Sequence, residues 1–210
     1  MIALLALAFA AHFRTPMPGD LWIARHVQRS DASFPMNIAH FGNWLGEAVP
    51  IGMVALLIAL GFAFNRFWFE AGFVIVAFAA KALNGGLKSM VNAPRPAAAL
   101  VRVTEHARGS GFPSGHVMGV ALVLGAAVLM LSRRAPRWGA SAWAMASLGI
   151  AVTAFGRVYT GAHWPSQTLG GLLAAIVLLG LLDRAAPVVS RVRRSSRRAP
   201  TIVPNARGVR

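Results

Sequence analysis

The sequence predicts an all-α membrane protein, a polytopic bundle of about six transmembrane helices. Three features of the 210-residue chain lead to this prediction. Hydrophobic residues make up 56% of the chain and charged residues only 13%, whereas soluble domains carry about 25% charged residues. The mean hydropathy is +0.58. Long apolar runs recur along the chain with short polar segments between them, as bilayer-crossing helices require.

Five apolar runs approach the roughly 17–25 residues with which a helix crosses a bilayer. They cover about 48–64, 69–87, 116–131, 138–155 and 167–182. A sixth run, from Met1 to Phe13, is shorter. We expect it to be either a first transmembrane helix that begins upstream or a short, tilted span. A cleaved signal peptide is a third interpretation, which the lack of a basic start disfavours.

The length of the chain fits one domain and does not comfortably fit two. We assign residues 1–185 to a transmembrane domain and residues 186–210 to a basic tail. The tail is rich in Arg, Ser and Pro and is predicted to be disordered, with anionic lipid headgroups as possible ligands. The formal net charge is +15. Nucleic-acid binding is nevertheless disfavoured, because the basic residues do not form one continuous face.

The distribution of arginine predicts the orientation in the membrane. With six spans, three basic segments fall on the same side, which the positive-inside rule makes cytoplasmic. These segments contain Arg66; Arg133, Arg134 and Arg137; and the arginines of the tail. Segments 14–47, 88–115 and 156–166 then face outward, and residues 17–34 are predicted to form an interfacial helix there. The alanine and arginine richness favours a bacterial source, so we expect the inner membrane, with these segments facing the periplasm.

The outward segments carry the residues from which a phosphate site can be built. They contain Lys88 and Arg95 in the first group, Ser114, Gly115 and His116 in the second, and Arg157, His163 and Gln167 in the third. Arginine offers phosphate a planar fork of donors and lysine a compact charge. A glycine at a helix start leaves backbone N–H groups open to an anion. Histidine is suited to proton transfer and covalent catalysis near neutral pH.

Each of these signals is weak by itself. Lys88 is equally compatible with a lysine that extends to the membrane interface, and His116 with a helix-capping residue. Four further histidines have no assigned role. They are His12, His26, His40 and His106. Only the combination and its order along the chain are specific.

In order and spacing, these residues resemble the three-part signature of the type 2 phosphatidic acid phosphatase (PAP2) superfamily. That signature reads Lys-x6-Arg-Pro, then Pro-Ser-Gly-His, then Ser-Arg-x5-His-x3-Asp. The matching positions are Lys88, Arg95 and Pro96; Pro113 to His116; and Arg157 with His163. The resemblance covers about residues 20–182. It implies a helical core like that of PAP2 enzymes and haloperoxidases.

The resemblance also implies an activity, that of a membrane lipid phosphate or diphosphate phosphatase with a phosphohistidine intermediate. In this mechanism His163 attacks phosphorus and His116 protonates the leaving group. The phosphoryl oxygens would be held by Lys88, Arg95, Ser114, the Gly115 N–H and Arg157. No metal or other cofactor is implied; the related haloperoxidases that bind vanadate are soluble, and the apolar spans argue against that role. The sequence leaves the oligomeric state open.

The expected partners are membrane lipids and a lipid phosphate substrate, with no nucleic acid. Candidate substrates are a polyprenyl diphosphate such as undecaprenyl diphosphate, phosphatidic acid and phosphatidylglycerol phosphate. Nothing in the sequence selects among them.

Two positions depart from the family signature. Gln167 replaces the closing Asp; it can accept a hydrogen bond from His163 but brings no negative charge. In serine proteases the comparable Asp-to-Asn change lowers turnover by about 10⁴. Gly156 replaces the Ser and removes a hydroxyl donor, while Glu105 is an alternative carboxylate. Two interpretations follow: a slower phosphatase, or a protein that binds phosphorylated lipid or transfers phosphate without hydrolysis.

Overall fold

The computed structural model describes residues 1–13 and 15–196 of the chain. Within these residues all regular structure is helical. The helices are α1 (Ile2–Phe13), α2 (Asp20–Val27), α3 (Ser33–Gly46), α4 (Ala48–Phe64), α5 (Trp68–Ala79), α6 (Asn84–Val91), α7 (Gly115–Arg134), α8 (Gly139–Tyr159) and α9 (Pro165–Ser196). A 3-10 turn, Ala80–Leu83, joins α5 to α6, and a second, Pro136–Trp138, precedes α8. The all-helical prediction is confirmed.

The five predicted apolar runs all lie in helices. Four helical segments in the described part of the chain are long and apolar enough to cross a membrane. They are Trp68–Val91, Gly115–Arg134, Pro136–Tyr159 and Pro165–Ala186. A fifth span results if α3 and α4, which meet at an angle of 69°, are counted together. Helix α1 is apolar but has only 12 residues, so these segments amount to four or five spans where about six were predicted.

Two compact units divide the chain, Met1–Leu179 and Gly180–Arg210. The first contains α1 to α8 and the beginning of α9. The second contains the rest of α9, which continues as a helix to Ser196, into the segment predicted as a disordered tail. Arginine is a good helix former, and serine is tolerated in helices. Residues 197–210 of that tail lie outside the described residues.

Helix α7 is the central element of the first unit. Of its apolar span 61% is buried inside the protein, and it packs against α3, α4, α5 and α8. Helix association inside a membrane depends on small residues that let backbones approach closely. Gly156 of α8 has this role, because a Cβ there would lie 2.5 Å from the Ala39 carbonyl oxygen of α3. The close packing places Asn43 of α3 beside the end of α8.

Helix α2 covers the loops on the same end of the bundle. Trp22 is exposed, as expected of an interfacial helix, but Ala24 is buried against Val101, Val158 and Trp164. Gln28, the residue that follows α2, adds hydrogen bonds to this packing. The side-chain nitrogen of Gln28 lies 2.8 to 3.2 Å from the carbonyl oxygens of Arg102, Val158 and Tyr159. Helix α2 therefore ties the long α6–α7 loop to the end of α8.

Candidate active site

The loop between α6 and α7 meets the turn between α8 and α9 through backbone hydrogen bonds. Thr104 N donates to Thr160 O at 2.9 Å, and Ser114 N donates to Gln167 O at 3.0 Å. The turn itself requires a glycine. Gly161 has φ +70°, and a Cβ there would meet the Arg102 carbonyl. Backbone contacts therefore bring the second and third sequence motifs together.

His163 lies in this turn, and its ring is held from both sides. It is buried, with 2% of its surface exposed. Its Nδ1 lies 3.2 Å from Gln167 Oε1, and its Nε2 lies 3.1 Å from Arg95 Nη1. The tautomer depends on which way the Gln167 amide faces.

Two further contacts fix the orientation of the Gln167 amide. Its Oε1 also accepts a hydrogen bond from Trp164 N at 3.2 Å, and its Nε2 donates to Pro94 O at 2.7 Å. The oxygen therefore faces His163, so Nδ1 of the imidazole carries the proton. The lone pair of Nε2 is left on the Arg95 side. Gly111 makes room for the amide, because a Cβ there would collide with it.

The surroundings of His163 favour the neutral imidazole. Burial lowers its pKa well below the ordinary value, and the positive charges of Arg95, Arg157 and Lys88 act in the same direction. A buried histidine among cations loses its proton readily because both effects disfavour imidazolium. His163 is thus in the form that a nucleophile requires.

Arg95 is fixed by backbone carbonyls of the α6–α7 loop and of the turn between α8 and α9. Its Nε donates to Gly109 O at 3.0 Å, its Nη1 to Ala162 O at 2.8 Å and its Nη2 to Ser110 O at 3.3 Å. Burial and the charge of Arg157 lower the pKa of the Arg95 guanidinium, but arginine does not deprotonate in proteins. It presents a fixed positive charge beside His163.

Arg157 lies at the end of α8 and is 1% exposed. Its Nη1 donates to Glu105 Oε1 at 2.6 Å and to Asn43 Oδ1 at 3.2 Å. Its Nε is buried and has no hydrogen-bond partner among the described residues. One edge of the guanidinium is thus held by protein, while the Nε donor has no partner among the described residues.

Glu105 and Gly156 have different surroundings from those the sequence comparison implied. Glu105 binds Arg157, so the alternative in which it replaces the missing carboxylate beside His163 is wrong for this structure. The α6–α7 loop directs it to the cation instead. Gly156 faces Ala39 and Asn43 of α3, where a serine side chain would not fit without a shift of α3.

The second motif forms the start of α7. Ser114 precedes the helix; its side chain is fully buried, and its Oγ has no partner among the described residues. Gly115 is the first helical residue, and a Cβ there would lie 2.6 Å from Asn84 Nδ2. His116 follows and packs against Gly46 of α3. His116 lies within electrostatic range of four cations, Arg157, Lys81, Lys88 and Arg95.

Lys88 lies on α6, half-buried, within electrostatic range of Arg95 and Arg157. The structure therefore brings the predicted site residues into one region at a single end of the bundle. In the part of the chain that the structure describes, no group of three or more His, Asp or Glu residues is arranged to hold a metal ion.

Sequence reasoning missed two residues that position the site. Asn43 holds Arg157 and also lies 3.3 Å from Thr160 Oγ1. Asp20 is buried and accepts hydrogen bonds from Ser166 N at 2.8 Å and Ser166 Oγ at 2.7 Å, which fixes the start of α9. The scarcity of carboxylates was a usable signal, because the chain has only six and a buried charge near a membrane is costly without a purpose.

The chain matches one family model and resembles several known proteins. Residues 69–188 match the model of the PAP2 superfamily. Undecaprenyl-diphosphatase BcrC of Bacillus subtilis (strain 168) is 33% identical over 87 residues, which are 40% of this chain and 41% of that protein. Glucose-6-phosphatase 3 of Rattus norvegicus is 34% identical over 86 residues, 38% of this chain and 25% of that protein. The matched region thus spans less than half of either relative.

A solved structure extends the comparison to almost the whole chain. It is the crystal structure of a transmembrane PAP2 type phosphatidylglycerolphosphate phosphatase from Bacillus subtilis. The TM-score is 0.75 and the sequence identity 22%, with 87% of this chain and 91% of that chain covered. The two chains share a fold.

Proposed function

This chain belongs to the PAP2 superfamily, and from that premise we propose that it is a membrane phosphatase that hydrolyses lipid phosphates or diphosphates. The orientation of His163 carries the proposal. Its Nδ1 proton is directed to Gln167 Oε1, and its unprotonated Nε2 lies 3.1 Å from Arg95 Nη1. A neutral imidazole beside a fixed cation is suited to attack on a phosphoryl group that the cation binds.

The reaction proceeds in two balanced steps. Nε2 of His163 forms a bond to phosphorus while the bond from phosphorus to the leaving oxygen breaks, and that oxygen takes a proton from His116. Water then attacks the phosphohistidine, giving a proton to His116 and releasing inorganic phosphate with His163 restored. His116 acts as acid and then as base, which returns it to its first protonation state. The negative charge of the bound phosphate offsets the surrounding cations and favours the protonated form that the first step needs.

The unpartnered polar atoms support a bound phosphate. Ser114 Oγ and Arg157 Nε are buried without hydrogen-bond partners among the described residues. Such a group costs about 1–3 kcal/mol when it stays unsatisfied. Phosphoryl oxygens would accept from both, and Lys88, Arg95 and the Gly115 N–H complete the donors. Stabilising charge on the transferring group is the main catalytic task in phosphoryl transfer.

A lipid substrate fits the surroundings of the site. An apolar groove of about 320 Å³ lies between α1 and α6, and its lining includes Phe112 and Pro113, immediately before Ser114. A lipid tail in this groove would leave its phosphate beside the start of α7. With the basic segments on the cytoplasmic side, the site faces the periplasm from a bacterial inner membrane.

Gln167 favours a second candidate function. It orients His163 but gives the imidazole no negative charge. In this second candidate function the site binds phosphorylated lipid, or transfers phosphate to another acceptor, without hydrolysis. Phosphate release tests both candidates. The purified protein in detergent is incubated with phosphatidic acid, phosphatidylglycerol phosphate and a polyprenyl diphosphate, and inorganic phosphate is measured.

The phosphatase proposal expects release from at least one lipid, loss of release in His163→Ala, and an acid-labile phosphoenzyme that forms in the wild-type protein and is absent from His163→Ala. Release that persists in His163→Ala would remove the nucleophile assignment. Lipid binding without release in the wild-type protein would favour the second candidate.

A further inference from the structure

The segment from the 3-10 turn to α6 carries two polar residues that the proposed mechanism does not use. Lys81 and Asn84 precede Lys88 at helical spacing, within the candidate span Trp68–Val91. A charged side chain inside a span is costly to insert and is a functional candidate by default. Both residues are half-buried in the protein.

Lys81 lies along α7, one helical turn from His116. Its Nζ donates to Gly46 O at 3.2 Å. A Cβ on Gly119 would lie 2.9 to 3.2 Å from the end of the lysine side chain, so the missing side chain of Gly119 makes room for it. No carboxylate in the described residues pairs with Lys81. An ammonium group has three donors, and one carbonyl leaves two of them for a ligand.

Asn84 covers the start of α7. Its amide nitrogen lies 2.6 Å from the position of a Cβ on Gly115, and its Oδ1 is buried without a partner among the described residues. Rotation of the amide by 180° exchanges its oxygen and nitrogen, and the two orientations are told apart only by their partners. A ligand that accepts hydrogen bonds would select the orientation with the N–H donor at this buried position.

Both residues lie beside the first turns of α7, the helix that carries His116. In-line displacement places the leaving oxygen opposite the attacking Nε2 of His163, next to the proton donor His116. A Cβ on Gly46 would lie 2.6 to 2.9 Å from the His116 side chain, and the carbonyl of Gly46 is the group that binds Lys81. The Lys81 side chain thus packs against Gly119 and binds the Gly46 carbonyl, and Gly46 in turn contacts His116.

The charge of Lys81 distinguishes two classes of leaving group. A lipid phosphate monoester releases an alcohol, which is neutral once His116 has protonated it. A lipid diphosphate releases a lipid monophosphate, which keeps its negative charge. A cation at this position stabilises the second leaving group more strongly, because the charge of a lipid monophosphate remains after the proton transfer.

We propose that Lys81 and Asn84 form a second phosphate subsite beside His116, which selects lipid diphosphates over lipid monophosphates. The subsite rests on the proposed function. In the first step the bond from His163 Nε2 to the terminal phosphorus forms and the bond from that phosphorus to the bridging oxygen breaks. The bridging oxygen stays with the lipid monophosphate, held by Lys81 and Asn84, and receives the proton from His116.

The test compares farnesyl diphosphate with farnesyl monophosphate, which share one lipid tail. For each, kcat/KM for inorganic phosphate release is measured with the purified protein in detergent. The wild-type protein is expected to prefer the diphosphate. In Lys81→Met, which keeps the apolar stem, the diphosphate-to-monophosphate ratio should fall roughly ten- to hundredfold, the scale of a charge-assisted hydrogen bond. Arg137→Met removes one exposed charge at the other end of α7 and should leave the ratio unchanged.

A second variant keeps the test decisive if Lys81→Met does not fold. Asn84→Asp is isosteric and puts a negative charge beside the leaving phosphate, so it should lower the same ratio. A ratio that stays at the wild-type value in both variants, or an equal loss on both substrates, would overturn the subsite.

Binding without turnover separates the subsite from the phosphatase activity. Methylenediphosphonate, which is not hydrolysed, should raise the thermal unfolding midpoint of the wild-type protein more than orthophosphate at equal concentration. Lys81→Met should lose this difference. If the difference is present but no phosphate is released from any lipid, the phosphatase proposal fails while the subsite stands. If Lys81→Met responds like the wild-type protein, the subsite is refuted.

Discussion

Gln167 holds His163 through a hydrogen bond of 3.2 Å between its Oε1 and the imidazole Nδ1. Its other end binds Pro94, the residue before Arg95, at 2.7 Å. One side chain therefore links the first and third motifs of the site. A carboxylate could replace the first contact, but it has no donor for the Pro94 carbonyl.

Gln167→Asp should therefore separate activity from stability. The carboxylate stabilises positive charge on His163 as the phosphohistidine forms, so kcat should rise at least about tenfold, a modest part of the 10⁴ known for the reverse change in another triad. The lost Pro94 hydrogen bond should lower the free energy of unfolding by about 1–3 kcal/mol. Phosphate release and the thermal unfolding midpoint measure the two effects.

The double variant His163→Ala/Gln167→Asp is the control for this change, because any gain that passes through His163 must vanish in it. A Gln167→Asp protein with lower kcat and unchanged stability would contradict the linking role of the amide.

The pH dependence of kcat/KM should reflect the lowered pKa of His163. Burial, Arg95, Arg157 and Lys88 all lower it, and only the neutral imidazole attacks phosphorus. As the pH falls, activity should therefore persist through the ordinary histidine value of about 6.5 and decline only below it. Initial rates between pH 4 and 8, at substrate concentrations of roughly a tenth of KM or less, measure this limb, because kcat/KM reports the free enzyme.

In Gln167→Asp the acid limb should move to higher pH, since a nearby carboxylate favours imidazolium. An acid limb centred above the ordinary histidine value in the wild-type protein would show that His163 is not the neutral, buried base described here.

Glu105 should act through Arg157 rather than through His163. It holds Nη1 at 2.6 Å and leaves Nε free for a phosphoryl oxygen. Glu105→Ala releases the guanidinium, so KM for the lipid phosphate should rise roughly three- to tenfold, on the scale of one hydrogen bond. Glu105→Gln keeps a hydrogen-bond acceptor for Arg157, so its KM should rise less. Steady-state phosphate release gives both parameters.

Glu47→Ala serves as the matched control, since Glu47 is an exposed carboxylate at the start of α4. Equal KM values in Glu105→Ala and Glu47→Ala would contradict a positioning role for Glu105.

The orientation in the membrane is tested by cysteine labelling, for which the chain is suited because it contains no cysteine. Arg108 lies in the α6–α7 loop and Arg137 before α8, and both are exposed. Arg108→Cys should react with a membrane-impermeant maleimide from the periplasmic side of intact spheroplasts. Arg137→Cys should react only after the membrane is opened. Labelling of both from one side would refute the predicted topology.

Local features of the sequence sufficed for several conclusions. The apolar runs predicted the helices, because the length and composition of a span are set by bilayer thickness and lipid solvation. The spacing of the three motifs predicted the family. The sequence also placed a hydrogen-bonding Gln167 four residues after His163, and the two side chains meet, although His163 precedes the first residue of α9.

The partners of the carboxylates were not predictable in this way. Asp20 binds Ser166 across 146 positions of the chain, and Glu105 binds Arg157 across 52. These pairs depend on the path of the α6–α7 loop and on how α2 is seated, neither of which follows from periodicity.

The sequence by itself determined the membrane helical bundle, the family and the residue types of the phosphate site, because each follows from composition or from spacing within a short segment. Only the tertiary structure decided which atoms of those residues are held and which are free. The orientation of Arg157 depends on the side chains of Glu105 and Asn43, which come from distant segments. The direction of the Gln167 amide and the position of Lys81 depend on the backbone carbonyls of Pro94 and Gly46, which also come from distant segments. Those carbonyls are present in every residue, and packing alone selects which of them a side chain meets.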